Sequence, residues 1–217
     1  MRENELKEWI GEFTARVKNA FGERIYFIGI QGSRARGEAG EESDIDMVVI
    51  LNEFTYNDLI AYREAIADIP NRDKLCGFIS GKEELINWDR ADLFQFCHDT
   101  LPISGNLEEI KALISPLDIS RAVHLGACNI YHSCVHNAIH EKSLQTLSEI
   151  IKSAYFLLMA KHYLESGEYI SGKSRLKERL EGRDVEVLSA EEYIDLKETS
   201  ALLMDWAADI IKSYGEN

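Results

Sequence analysis

Apolar residues recur at helical spacing near the start of the chain. Leu6, Trp9, Ile10, Phe13 and Val17 lie three or four apart, which predicts an amphipathic helix over 3–21 with Gly22 as its stop. The pattern then changes. Residues 24–30 are rich in Ile, Tyr and Phe and read as a buried strand. A turn-rich stretch over 31–43 carries Gly32, Gly37 and Gly40. Residues 45–51, Ile-Asp-Met-Val-Val-Ile-Leu, read as a second strand. A helix is predicted over 56–69, ending at Pro70, then a third strand over 75–80 and a short helix over 83–88. Mixed aromatic and polar residues over 93–98 suggest a fourth strand.

The second half carries helical periodicity almost throughout. Residues 119–140 contain no proline. Residues 143–165 bear a broad apolar stripe that includes Leu147, Ile150, Ile151, Ala154 and Leu158. A shorter helix is expected near 173–180. A long one is expected over 189–214, with Ser189 and Glu192 matching a capping box. The pattern therefore predicts an α/β (α+β) core with a mixed sheet over 1–115, followed by an all-α helical bundle over 116–217. The switch falls near Ser115-Pro116-Leu117-Asp118.

Composition narrows the class. Of 217 residues, 45% are hydrophobic and 29% charged, as in a folded globular chain. No run approaches the roughly 20 apolar residues of a membrane span, and the acidic N-terminus lacks the apolar core of a signal peptide. With 24 basic against 38 acidic side chains the net charge is −14. Nucleic acid is bound by neutralising phosphates, so this charge weighs against a duplex partner and fits a small substrate better, a cationic one among the candidates. Cys76, Cys97, Cys128 and Cys134 form no Cys-x-x-Cys pair and suit reduced thiols, so a cytoplasmic location is expected.

The chemistry concentrates in Gly32-Ser33-Arg34-Ala35-Arg36-Gly37 and Ser43-Asp44-Ile45-Asp46. Strand side chains alternate, so Asp44 and Asp46 point the same way, about 7 Å apart. Two such carboxylates repel unless a cation lies between them. Their hard oxygens suit Mg²⁺, which also takes phosphate ligands. A glycine-serine bend after a strand lets backbone amides approach an anion. Together these features outline metal-assisted transfer from a nucleoside triphosphate.

This arrangement resembles the nucleotidyltransferase superfamily, which spans DNA polymerase beta, kanamycin nucleotidyltransferase and the minimal nucleotidyltransferases. The resemblance covers roughly residues 20–100. It implies two Mg²⁺ ions and in-line transfer of a nucleoside monophosphate, here expected from ATP to a hydroxyl of a small molecule such as an aminoglycoside. Gly32 and Ser33 would hold the triphosphate, and Asp44 and Asp46 would be the catalytic metal ligands. Arg34 or Arg36 either contacts phosphate or lies in a solvated turn, with Arg36 the candidate carried forward. Tyr163, Gly167, Ile170 and Lys173 resemble a pattern in the helical domain of antibiotic adenylyltransferases, which implies a phosphate contact for Lys173.

The family normally adds a third carboxylate from the neighbouring strand. Here Cys76 or Gly77 falls at that place, with Asp73 and Asp99 as the nearest alternatives. The missing acid keeps two other readings open: a catalytically impaired nucleotide-binding or regulatory protein, and an antitoxin-like nucleotidyltransferase that modifies another protein. His124, Cys128, His132, His136 and His140 recur four apart and share one drifting helical face. A pair of them could bind Zn²⁺ or line a polar seam; surface histidines are the plainer expectation. Trp88, Phe94 and Phe96 are expected in the core.

Overall fold

The computed structural model describes residues 2–215 and divides into two compact units. The first runs to Asp89 and includes Phe96–Leu113. The second comprises Arg90–Gln95 and the chain from Ile114 onward.

In the first unit, α1 (Glu3–Phe21) precedes β1 (Ile25–Gln31), the short α2 (Gly32–Arg36) and β2 (Ile45–Leu51). Then come α3 (Tyr56–Ala65), β3 (Leu75–Gly81), α4 (Lys82–Ile86), α5 (Arg90–Asp99, whose Arg90–Gln95 stretch belongs to the second unit), β4 (Leu101–Ser104) and α6 (Glu108–Lys111). The four strands form one mixed sheet in the order β3-β2-β1-β4. β1 is antiparallel to β2 and β4, whereas β2 and β3 are parallel.

The α1 stripe of Trp9, Phe13, Val17 and Phe21 joins Ile28, Ile30, Ile45, Met47, Val49 and Leu51 in one apolar cluster. Strand alternation puts Asp46, Val48 and Ile50 on the opposite face. Val48 and Ile50 are fully buried there as well, so β2 is apolar over most of its length. The helix after β2 is tied to the sheet by a capping box. Thr55 caps α3, and the Asp58 carboxylate accepts from the Thr55 backbone N–H and hydroxyl, both at 2.8 Å. Arg24 donates to the same carboxylate at 2.8 and 2.9 Å. These donors hold the acid of Asp58 down at about 2, the Arg24 hydrogen bonds first among them.

Residues 93–98 do not form the expected fourth strand; they lie in α5. Ala91, Leu93, Phe94 and Cys97 are buried at helical spacing, and that periodicity outweighs the β preference of the two phenylalanines. The fourth strand is instead β4, at the sheet edge, where Pro102 removes no ladder donor that an inner strand would need.

The second unit is helical: α7 (Pro116–His136), a π-helical turn over Asn137–Glu141, α8 (Leu144–Ser166), α9 (Lys173–Lys177), α10 (Arg183–Ser189) and α11 (Leu196–Tyr214). Val123, Ala127 and Ile130 of α7, Leu147, Ile151 and Leu158 of α8, and Leu203, Trp206 and Ala207 of α11 share one core. Ser115 caps α7 with Pro116 in its first turn, and Ser143 caps α8. The expected long helix from Ser189 begins later. Ser189 is helical itself and ends α10, and the cap of α11 is Asp195, which accepts from the N–H groups of Lys197 and Glu198 at 2.9 and 2.8 Å. The carboxylate of Asp195 reaches two orphan amides, so it displaces the Ser189/Glu192 alternative. Among the described residues no helix is long and apolar enough to cross a membrane.

Candidate active site

The site is built where β1 hands over to α2. Gln31, the last residue of β1, pairs with Asp46 on β2. Its side-chain amide donates to the Phe96 carbonyl at 3.2 Å and to the Thr100 hydroxyl at 2.6 Å, which anchors the strand end. Gly32 follows at φ +72°, in the left-handed region. A Cβ there would run into the Asp46 carboxylate, so only glycine lets the bend pass that close. Ser33 is half-buried in the first turn of α2.

The loop from α2 to β2 is tied from both ends. Glu38 N–H donates to the Ser33 carbonyl at 2.8 Å. Arg34 reaches across the loop and donates to the carbonyls of Asp44 and Ser43, at 2.8 and 2.5 Å. Lys74 Nζ donates to the Glu41 carbonyl at 2.8 Å. Arg34 thus fixes the backbone immediately before β2 and so sets where both aspartates stand. Sequence spacing offered only a phosphate contact or a solvated turn for Arg34; the ten-residue gap to Asp44 hid this third role.

Asp44 is exposed and Asp46 half-buried. The acid of Asp46 is raised above the usual carboxylate range. Burial is the first cause and the charge of Asp44 the second, with Arg36 and Arg34 partly offsetting them. The two carboxylates are therefore electrostatically coupled, although Asp44 lies just before the strand that carries Asp46.

Across the parallel pair, Asp46 is in register with Cys76 and Met47 with Gly77. The residue beside Asp46 is thus an exposed thiol. Asp73 lies on the exposed 3₁₀ turn before β3. Asp99 is buried and accepts from Arg36 at 2.8 Å; Arg36 also donates to Glu38 at 2.9 Å. Arg36 and Asp99 therefore sit in one ion-paired cluster. Among the described residues no group of three or more His, Cys, Asp and Glu side chains could hold a metal ion.

The expected aromatic cluster divides. Phe96 and the partly exposed Trp88 pack edge-on against Phe78, at 5.4 and 5.8 Å between centroids. Phe94 turns into the core of the helical unit and meets Tyr163 at 5.1 Å.

Lys173 belongs to the helical unit and opens α9 after Gly172, whose φ is +104°. Its ammonium pairs with Glu191. Tyr163 packs beside Tyr169, Gly167 ends α8 in the left-handed conformation, and Ile170 is buried. The histidine stripe follows the α7 face and runs into the π-helical turn. His124 Nε2 lies 3.8 Å from Cys128 Sγ, His136 and His140 rings are 4.9 Å apart, and His136 meets Glu141 at 3.3 Å. It converges on no metal cluster among the described residues.

Residues 11–111 match the family model described as a nucleotidyltransferase domain. This part of the chain is similar to nucleotidyltransferase domains. That span contains the glycine-serine bend, both aspartates and all four strands, and the match supports a transferase. Among solved structures, spectinomycin adenyltransferase AAD(9) from Enterococcus faecialis, determined with ATP and spectinomycin, superposes with a TM-score of 0.57 at 14% identity. The match covers 95% of this chain and 99% of that one. A nucleotidyltransferase-like protein from Exiguobacterium sibiricum 255-15 aligns at 9% identity with a TM-score of 0.41, covering 95% of this chain and 75% of that one. No curated protein matches by sequence. The similarity to AAD(9) extends the shared fold beyond the nucleotidyltransferase domain, into the C-terminal helices.

Proposed function

We propose that this protein is a Mg²⁺-dependent nucleotidyltransferase that moves a nucleoside monophosphate from a triphosphate, ATP first among the donors, to a hydroxyl of a small cationic acceptor of the aminoglycoside class. The observation that carries the reading is the Gly32–Asp46 approach. A glycine bend in the left-handed region lies against a carboxylate whose acid is raised by burial and by Asp44. The Asp44–Asp46 pair is unfavourable by itself and is relieved by a divalent cation.

The donor set fits Mg²⁺ in part. Asp44 and Asp46 supply hard oxygens, and Mg²⁺ commonly takes one or two carboxylates with water and substrate phosphates completing its shell. The neighbour on β3 is the soft thiol of Cys76, which suits Mg²⁺ poorly. When bound, the metal supplies neutralisation of polyphosphate charge. Two ions are expected on the resemblance, with the shared ligands Asp44 and Asp46. The backbone at Gly32 and the Ser33 hydroxyl hold the triphosphate tail. The phosphate roles of Arg36 and Lys173 rest on the resemblance, because here both side chains are engaged by acids. The acidic balance of the chain, and the spectinomycin in the AAD(9) structure, support a small cationic acceptor.

A second reading, a nucleotide binder with little turnover, is favoured by Cys76 standing where an acid would complete the site. One experiment separates the two. The full chain is incubated with labelled ATP, Mg²⁺ and a panel of cationic and neutral acceptors, and pyrophosphate release is followed. Acceptor-dependent release supports the transferase reading. ATP binding without release on any acceptor supports the second.

A further inference from the structure

The helical unit holds a cavity of about 470 Å³ that involves none of the residues discussed as the active site. That size is within the range of small-molecule sites. It lies between the end of α7 and the first turns of α11. Cys134, Ala138, Leu196, Ala201 and Met204 give it apolar walls.

The shape is held by the π-helical turn. Asn137 is fully buried; its side-chain amide donates to the Ser143 carbonyl at 3.0 Å and its amide oxygen accepts from the Ser143 N–H at 2.9 Å. This clamp keeps the wider turn in place and carries the chain round at Lys142, whose φ is +53°. Ser200 also lines the cavity. It is buried at 8% exposure, and its hydroxyl has no hydrogen-bond partner.

Charge completes the case. Three charged side chains stand at the cavity: Asp195, Lys142 and Lys197. Asp195 is occupied as the cap of α11. Lys142 and Lys197 are exposed and make no ion pair among the described residues, in a chain with 38 acidic and 24 basic side chains. Two lysines left without acids at an apolar cavity suit an anion with a hydrophobic body.

We propose that this cavity binds a small amphiphilic carboxylate, its hydrocarbon body against Ala138, Leu196, Ala201 and Met204 and its carboxylate at Lys142 and Lys197. The site is separate from the transferase reading and stands or falls without it.

The test uses the full chain titrated with decanoate, with decanol as the uncharged counterpart, by calorimetry. The expected result is saturable, one-to-one decanoate binding. The double variant Lys142→Gln/Lys197→Gln should weaken decanoate about tenfold and leave decanol unchanged. Ala201→Trp should abolish binding by filling the cavity. Ala138→Trp fills it from the other wall, so that a folding defect in one variant does not decide the outcome. Circular dichroism and a cooperative thermal transition report that each variant is folded. Absence of saturation overturns the proposal, as does binding that ignores both tryptophans. A parent dimer that either tryptophan dissociates also overturns it, because the occupant would then be a second copy of the chain.

Discussion

Cys76 stands directly beside Asp46, in register across the parallel pair of β2 and β3. An acid at this position would place a third carboxylate next to two that are already coupled. Cys76→Asp should therefore raise the acid of Asp46 further in the absence of metal, because a like charge is added beside it. With Mg²⁺-ATP the extra oxygen ligand should tighten the metal and increase turnover by about 10²-fold, the lower range of a gained general base. NMR titration of the aspartates and a pyrophosphate-release assay check the two halves. A variant with normal folding and slower release than the parent would remove the idea that Cys76 marks a missing acid.

Asp46→Asn separates function from stability. Because the folded state raises the acid of Asp46, its ionised form is less favourable folded than unfolded. The sign follows: stability falls as pH rises from the unfolded carboxylate range through the raised value, and the penalty is complete above it. The variant should show a Tm at pH 7 at or above that of the parent in metal-free buffer. It should lose transfer, and Mg²⁺-ATP should stabilise it less than it stabilises the parent. A lower Tm in metal-free buffer would contradict the electrostatic account.

Gly32→Ala tests the close approach. The substituent enters a left-handed backbone and the space of the Asp46 carboxylate. A destabilisation of about 1–3 kcal/mol is expected from the backbone alone. Displacing Asp46 by even an ångström should cost transfer about 10²-fold. Denaturant unfolding and the release assay read the two effects. Parent-like turnover would show that the bend does not need glycine.

The strands β1, β2 and β3 were legible because each is a short apolar run bounded by turn residues, and β2 was predicted at its observed limits. The place of Asp46 on β2 was legible for the same reason, whereas Asp44 lies just before the strand. What one sequence did not show depended on partners distant along the chain. The Arg34 hydrogen bonds to Ser43 and Asp44, and the Arg36–Asp99 pair, join segments that pattern alone does not connect. Residues 93–98 were misread because two phenylalanines resemble a strand until the burial of Leu93 and Cys97 on one face is seen. The start of α11 was misread because two capping signals lie six residues apart, and the one with two amides in reach prevails.

Asp58 should mark the acid limb of stability. Its acid is held at about 2 in the folded protein, so it contributes stability that is complete above the unfolded carboxylate value. That contribution is lost as pH falls from about 4 toward 2. Asp58→Ala should cost about 1–2 kcal/mol at pH 7, through the lost cap of α3. The cost should shrink as pH falls through that window. Denaturant unfolding at pH 7 and pH 3 checks it; an equal cost at both would assign the effect to packing.

The Arg36–Asp99 pair sets a structural role against the phosphate role implied for Arg36. Both side chains are largely buried, at 11% and 8% exposure, and meet at 2.8 Å. Removing one member of a buried pair leaves the other charge poorly compensated, which costs about 3–5 kcal/mol in the limit of full burial. Arg36→Ala should therefore destabilise the first unit strongly. Arg36→Lys keeps the charge and loses the forked geometry that serves Glu38 and Asp99 together. If the residue is structural, the lysine variant is destabilised with an unchanged KM for ATP in the fraction that remains folded. If Arg36 contacts phosphate, the lysine variant raises KM by about tenfold or more while its unfolding midpoint stays near that of the parent. Measuring both the midpoint and KM on one preparation decides between them.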